Sequence, residues 1–138
     1  MDLNLIESPS IKDKQQLDGL VSGYNRTQVE GFGYQEFLYT ISDNQNTLIA
    51  GVHCEVGNGW LYVINLWVAE SSRQQGLGKK LLLASENKAR ELGCHGSYLY
   101  TYTFQAPGFY KKYGYEVFGE LENFGEKQAK LYMKKRLD

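Results

Sequence analysis

Two hydrophobic periods alternate along this chain, and the places where one gives way to the other mark its elements. The most apolar stretch runs from Trp60 to Val68. Its length and its β-branched and aromatic content predict a strand. Gly57-Asn58-Gly59 precedes it, a turn signal that predicts a hairpin back to a strand over Leu48 to Val56. From Leu77 to Leu92 the period lengthens. Leu81, Leu82, Ser85, Ala89 and Leu92 recur at helical spacing, with Lys79, Lys80, Glu86, Lys88 and Arg90 on the polar side. That pattern predicts an amphipathic helix closed by Gly93.

Weaker signals fill in the rest. Leu3 to Glu7 reads as a short strand ended by Ser8-Pro9. Ser10 is the expected N-cap of a helix from Ile11 to about Val21, with Ile11, Leu17, Leu20 and Val21 on its apolar side. Ser22 to Tyr34 carries Gly23, Gly31 and Gly33 and reads as an irregular segment. Phe37 to Ile41 and Ser97 to Tyr102 are expected strands. Ala106-Pro107-Gly108 opens a short helix with Phe109, Tyr110 and Tyr113, closed by Gly114. Tyr115 to Phe118 and Ala129 to Lys135 are the last expected strands. The order predicts an α/β domain with a mixed, mostly antiparallel sheet around one central β-α-β unit.

Composition narrows the picture. A chain of 138 residues without repeats, low-complexity tracts or an internal linker reads as a single domain over residues 1–138. The formal charge of −1 gives no general attraction to nucleic acid or an anionic membrane, so any anion site must be local. No apolar run approaches the ~20 residues of a membrane span, and Met1-Asp2-Leu3-Asn4 does not resemble a signal peptide. Cys54 and Cys94 lie far apart, and with His53 and His95 they form no metal-ligand spacing. They read as reduced thiols of a cytoplasmic protein without a metal.

The chemistry concentrates in Arg73-Gln74-Gln75-Gly76-Leu77-Gly78, between the most apolar strand and the amphipathic helix. Glycines allow unusual dihedrals and close approach, and the first turn of a helix offers unpaired N–H donors at a partly positive end. Together they suit an anion such as a pyrophosphate. The turn lacks the Gly-Lys-Ser/Thr ending of a nucleotide-binding P-loop. It also lacks the GxGxxG fingerprint of dinucleotide folds.

This hexapeptide, preceded by Leu66-Trp67-Val68, resembles the signature of the GNAT superfamily of acetyl-CoA-dependent acyltransferases. So does Phe109-Tyr110-Lys111-Lys112-Tyr113-Gly114-Tyr115-Glu116 further on. The resemblance is firm from about Trp60 to Phe118. It implies a sheet whose fourth and fifth strands splay apart, and a seat for acetyl-CoA. Gln75, Gly76, Leu77, Gly78 and Lys79 would hold the pyrophosphate by their N–H groups, next to Gln74. Arg73 and Lys79 would add charge, and the main chain near Leu66 and Val68 would pair with the pantetheine arm. Gln105 and Phe109 are expected to contact cofactor or substrate. Tyr110 matches the family tyrosine beside the sulfur, as general acid or thiolate stabiliser. The resemblance is also compatible with a homodimer.

The proton acceptor is open. The strand where family members often carry an acid has Ile64 and Asn65 here, leaving His53, Glu55, Glu70, a water-mediated route or an amine that binds already neutral. Tyr98, Tyr100 and Tyr102 alternate on one strand and read as a packed aromatic face, with Tyr100 or Tyr102 a candidate for the acceptor pocket. An uncharged, aromatic pocket favours a small amine. The expected function is N-acetylation of such an amine by direct transfer in a ternary complex. A non-catalytic acyl-CoA-binding or sensor module is the alternative.

Overall fold

A computed structural model describes residues 1–138, which divide into two compact units, residues 1–33 and 34–138. In the first, the expected strand over Leu3 to Glu7 does not form; this stretch has no regular structure and joins no sheet. A strand is stabilised by its neighbour's hydrogen bonds, and five residues of favourable composition do not supply one. Helix α1 (Ile11–Gln28) starts at the expected Ser10 with a full capping box. The Asp13 N–H donates to Ser10 Oγ, and the Ser10 N–H donates to Asp13 Oδ2, each at 3.0 Å. The helix runs seven residues past the expected end, through Ser22 and Gly23. One interior glycine costs a helix only about 1 kcal/mol, too little to stop it when Tyr24 to Gln28 bring no other breaker. No residue of α1 is buried, so its apolar side forms no core within this unit.

Residues 34–138 hold strands β1 (Gln35–Ser42), β2 (Leu48–Gly57) and β3 (Trp60–Val68), then helix α2 (Leu77–Glu91) and strand β4 (Gly96–Tyr102). Helix α3 (Pro107–Lys112) and strands β5 (Glu116–Leu121) and β6 (Lys130–Arg136) complete it. The sheet has six strands in the order β1-β2-β3-β4-β6-β5. Only β3 and β4 are parallel, joined by the crossover through α2; every other pairing is antiparallel. The α/β fold expected from the sequence is the fold observed.

One face of the sheet builds the core. Ala50, Val52, Cys54 and Val56 of β2, Leu61 and Val63 of β3, Leu99 of β4 and Met133 of β6 meet Leu81, Leu82 and Ala89 of α2. Glu86 departs from expectation: it is fully buried, not on the solvent face of α2. Its position, four residues after Leu82 and three before Ala89, puts it on the buried stripe. Two partners make that tolerable. The Tyr115 hydroxyl donates to Glu86 Oε2 at 2.9 Å and lies 2.8 Å from Ser97 Oγ. Lys135 Nζ donates to Glu86 Oε1 at 2.7 Å.

A single extra residue shapes the functional end of the sheet. His53 pairs with Asn65 and Cys54 with Val63, so Ile64 is bulged out of the β2–β3 ladder. A bulge bends its strand and reverses the side-chain phase beyond it. Before it, Leu61 and Val63 face the core; after it, Leu66 and Val68 do. Pairing between β3 and β4 stops at Val63 and Leu99, next to the bulge. From there the two strands diverge.

Candidate active site

The chain leaves β3 through a single 3₁₀ turn over Glu70–Ser72 and enters α2 by a loop in which Gln74 (φ 65°) and Gly76 (φ 77°) are both left-handed. Gly76 is the N-cap of α2 and brings no side chain to cap it. The first intrahelical bond is from the Lys80 N–H to the Gly76 carbonyl, at 3.0 Å. The N–H groups of Leu77, Gly78 and Lys79 therefore have no helical acceptor. No acidic residue sits in this first turn, so the positive end of the helix is uncompensated.

A groove of about 740 Å³ runs from this turn into the gap between β3 and β4. Its walls include Leu66, Val68, Arg73, Gln74, Gly76, Leu77, Gly78, Lys79, Gln105, Phe109 and Tyr110, all of them residues the sequence singled out. Gln75 alone of that set does not line it. Phe109 closes the groove beside the turn: a Cβ on Gly78 would sit 3.4 Å from the Phe109 ring. Tyr110 lies deeper, edge-on to Phe109 with centroids 5.2 Å apart and edge-on to Tyr115 at 5.8 Å. No aspartate, glutamate or histidine lines the groove, and its only charged residues are Arg73 and Lys79. It is an electropositive slot with a helix N-terminus at one end and a half-buried phenol towards the other.

Comparison with known proteins gives the family. The model of the Acetyltransferase (GNAT) family matches residues 12–115. The chain belongs to the GNAT acetyltransferase family. It is 33% identical over 124 residues to an acetyltransferase of Agrobacterium fabrum, covering 90% of each protein. It is 44% identical over 66 residues to blasticidin-S acetyltransferase of Streptomyces morookaense, a match spanning 47% of this chain and 48% of that one. A crystal structure from Agrobacterium tumefaciens superposes with a TM-score of 0.92 at 29% identity, covering 99% of both chains.

Within this GNAT domain, several side chains have partners the sequence did not foresee. Arg73 donates from Nε to the Val68 carbonyl at 3.2 Å, so that carbonyl already has a hydrogen-bond partner, and the guanidinium is held beside the end of β3. Gln105 turns its Oε1 inward, accepting from the Tyr102 N–H at 3.0 Å and Thr101 Oγ1 at 3.1 Å. It caps the end of β4 and keeps its amide N–H groups for other partners. Lys79 lies 6.0 Å from the Tyr113 ring centroid, at the edge of cation–π range.

The candidate bases are elsewhere. His53 lies 3.6 Å from Glu36, Glu55 lines a second, smaller cavity, and Glu70 is in the 3₁₀ turn; none of them reaches the groove. Trp67, Ser72 and Phe104 do line it, beyond the contacts expected from the sequence. All of Val63 to Val68 lines it, because β3 has no β4 partner beyond Val63 and presents its free edge there. Periodicity within one strand carries no sign of where pairing with another stops.

Burial sets the proton chemistry. Tyr110 is pushed up to about 12, first by desolvation and then by the neighbouring Cys54 thiol. Cys54 is itself raised to about 11 by burial, against a hydrogen bond from Ser85. A thiol held so far above neutrality is not a nucleophile at pH 7. Tyr115 is raised as well, by desolvation and then by Glu86. The unfolded chain ionises these tyrosines near pH 10, while the folded chain keeps them protonated, so stability falls as pH rises above 10. Each tyrosine contributes a slope of about 1.4 kcal/mol per pH unit. Urea unfolding at pH 9, 10 and 11 should show the wild type losing stability towards pH 11, and Tyr110→Phe losing about 1 kcal/mol less over the last unit.

Proposed function

We propose that the chain, working as one domain over residues 1–138, is an N-acetyltransferase. It moves the acetyl group of acetyl-CoA to the amine of a small-molecule acceptor, directly, in a ternary complex. The observation that carries this reading is the continuous slot from the uncapped turn of α2, between diverging strands, to the half-buried Tyr110. The kinship with a blasticidin-S acetyltransferase supports a small acceptor, as does the aromatic wall of Tyr100 and Tyr102.

In this reading the N–H groups of Gln75, Gly76, Leu77, Gly78 and Lys79 bind the pyrophosphate, helped by the charges of Arg73 and Lys79 and flanked by Gln74. The strand edges near Leu66 and Val68 align the pantetheine amides. Gln105 and Phe109 bound the arm. Acetyl-CoA supplies the acyl group and a thiolate leaving group. As the N–C bond forms and the C–S bond breaks, Tyr110 holds its proton beside the sulfur. Its pKa of about 12 lies well above the ~8.5 of an ordinary thiol, so it stabilises the departing thiolate by hydrogen bonding and keeps its own proton. With no carboxylate or histidine in the groove, the amine is deprotonated before or through water. Cys54 takes no part, which leaves direct transfer.

Thiol release from acetyl-CoA over a panel of small amines tests the proposal. Tyr110→Phe should lower kcat about 100-fold, the loss of one preorganised donor, while the Kd for acetyl-CoA stays within about twofold. The wild-type rate should rise with pH through the pKa of the amine, with no falling limb below pH 10 from Tyr110. The groove's lack of a base is what favours a binding or sensor module instead. Tight acetyl-CoA binding with no turnover on any amine would establish that second reading and overturn the first.

A further inference from the structure

The sheet face opposite α2 carries a second site. Here β2, β3 and β4 bring Glu55, Tyr62 and Tyr98 into one row: Glu55 is directly across from Tyr62, and Tyr62 is in register with Tyr98. With Trp60 and Tyr34 they surround a cavity of about 150 Å³, the share of liquid volume of about five waters. That space suits one alkylated nitrogen head and excludes anything the size of a cofactor.

The walls are rigid. Trp60 pairs with Gly96 across the parallel ladder, and its indole lies flat on that glycine. A Cβ there would be 2.6 Å from Trp60 Cζ3 and 2.9 Å from the Lys135 carbonyl, so only glycine lets the ring take this position. The Trp60 ring stands at 71° to Tyr98, with centroids 6.2 Å apart. Tyr62 and Tyr98 are parallel, 4.7 Å apart. Both phenols are raised, first by burial, with the Glu55 carboxylate contributing to each. The cavity thus combines aromatic faces with a negative charge.

The same face shows what such rings attract. At its other end Lys130 places its ammonium 3.8 Å from the Tyr100 ring centroid and 5.3 Å from that of Tyr132. At the Trp60 end no lysine or arginine of residues 34–138 lies over Trp60, Tyr62 or Tyr98, and Glu55 forms no salt bridge within that unit. Aromatic faces around a carboxylate recognise alkylammonium ions through cation–π attraction and charge. We propose that the cavity formed by Trp60, Tyr62, Tyr98, Tyr34 and Glu55 binds an alkylammonium group. That group is either a second cationic centre of the acceptor or a separate small cation.

Choline and its neutral isostere 3,3-dimethyl-1-butanol are the probes, titrated at constant ionic strength without acetyl-CoA. The protein has two tryptophans, so emission of the Trp67→Phe variant reports Trp60 alone. Saturable quenching by choline is expected, with at least tenfold weaker binding of the alcohol. Glu55→Gln, which keeps shape and loses charge, should weaken choline at least fivefold. Trp60→Leu should abolish its binding, measured by calorimetry on protein shown folded by circular dichroism. Equal affinity for the two probes, no saturation, or an unchanged Kd in folded Glu55→Gln would overturn the proposal. These measurements need no acetyl donor, so their failure leaves the acetyltransferase reading standing. A final arm rests on that reading: turnover of the best amine of the panel in the presence of tetramethylammonium, which cannot be acetylated. Competitive inhibition assigns the site to the acceptor's second cation; a non-competitive change in rate assigns it to a separate ligand.

Discussion

Gly76→Val is expected to weaken acetyl-CoA binding at least about 100-fold, a loss of about 2.7 kcal/mol, while the sheet stays folded. Gly76 sits at φ 77°, where a β-branched residue is strained by roughly 1–3 kcal/mol. No protein atom lies within 4 Å of the Cβ it would gain, so the core takes no clash. The strain is relieved by moving the turn, and that redirects the N–H groups of Leu77, Gly78 and Lys79 away from the groove. Gly76→Asn separates conformation from bulk, because asparagine tolerates the left-handed region; it should keep most of the affinity. Calorimetric titration of both variants, alongside thermal unfolding, checks this. If Gly76→Val binds like the wild type, the turn is not the anion seat.

Glu86→Ala is expected to cost about 3–5 kcal/mol of folding stability, the usual penalty for removing one partner of a buried charge pair. It strands the Lys135 ammonium, whose side chain is only 19% exposed, and takes away the acceptor of the Tyr115 hydroxyl. It also opens a cavity against Leu82 and Ala89. The double variant Glu86→Leu/Lys135→Met should recover much of the loss, since well-packed apolar residues often match a buried pair. Urea midpoints of Glu86→Leu, Lys135→Met and the double variant complete the cycle beside Glu86→Ala. A cost below 1 kcal/mol for Glu86→Ala would show that the network contributes little.

Much of the fold was legible because its signals are local. The apolar run of β3, the two-residue turn at Asn58-Gly59 and the helical period of α2 each depend on residues a few positions apart, and all three formed; in the stripe of α2 only Glu86, buried, and Leu92, exposed, depart from expectation. The loop before α2 and the short helix with Phe109 and Tyr110 were equally readable, because glycine and proline act on the backbone where they stand. Leu3 to Glu7 and Ser22 to Gln28 failed for opposite reasons. The first needed a neighbouring strand that composition could not promise. In the second, Gly23 costs the helix only ~1 kcal/mol, and α1 continues through it to Gln28.

Other features depended on packing from the outset. Glu86 looks like a surface residue until Tyr115 and Lys135, 29 and 49 positions away, arrive to satisfy it. The bulge at Ile64 arises from the register of β2 against β3, next to the point where β3 and β4 stop pairing. The same ladders set Glu55 across from Tyr62, itself in register with Tyr98, which puts that carboxylate among aromatic rings away from the groove.

By itself, the sequence determined the α/β class, the uncapped turn at Gly76 and the tyrosine at 110, since backbone dihedrals and short periodicities are properties of neighbouring residues. Only the tertiary structure decided that β3 and β4 part beyond Val63, that the resulting groove holds two cations and no carboxylate, and that Tyr110 is buried enough to keep its proton. Those properties depend on strand register and on which distant groups exclude water from one another. Both are fixed only when the sheet and α2 come together.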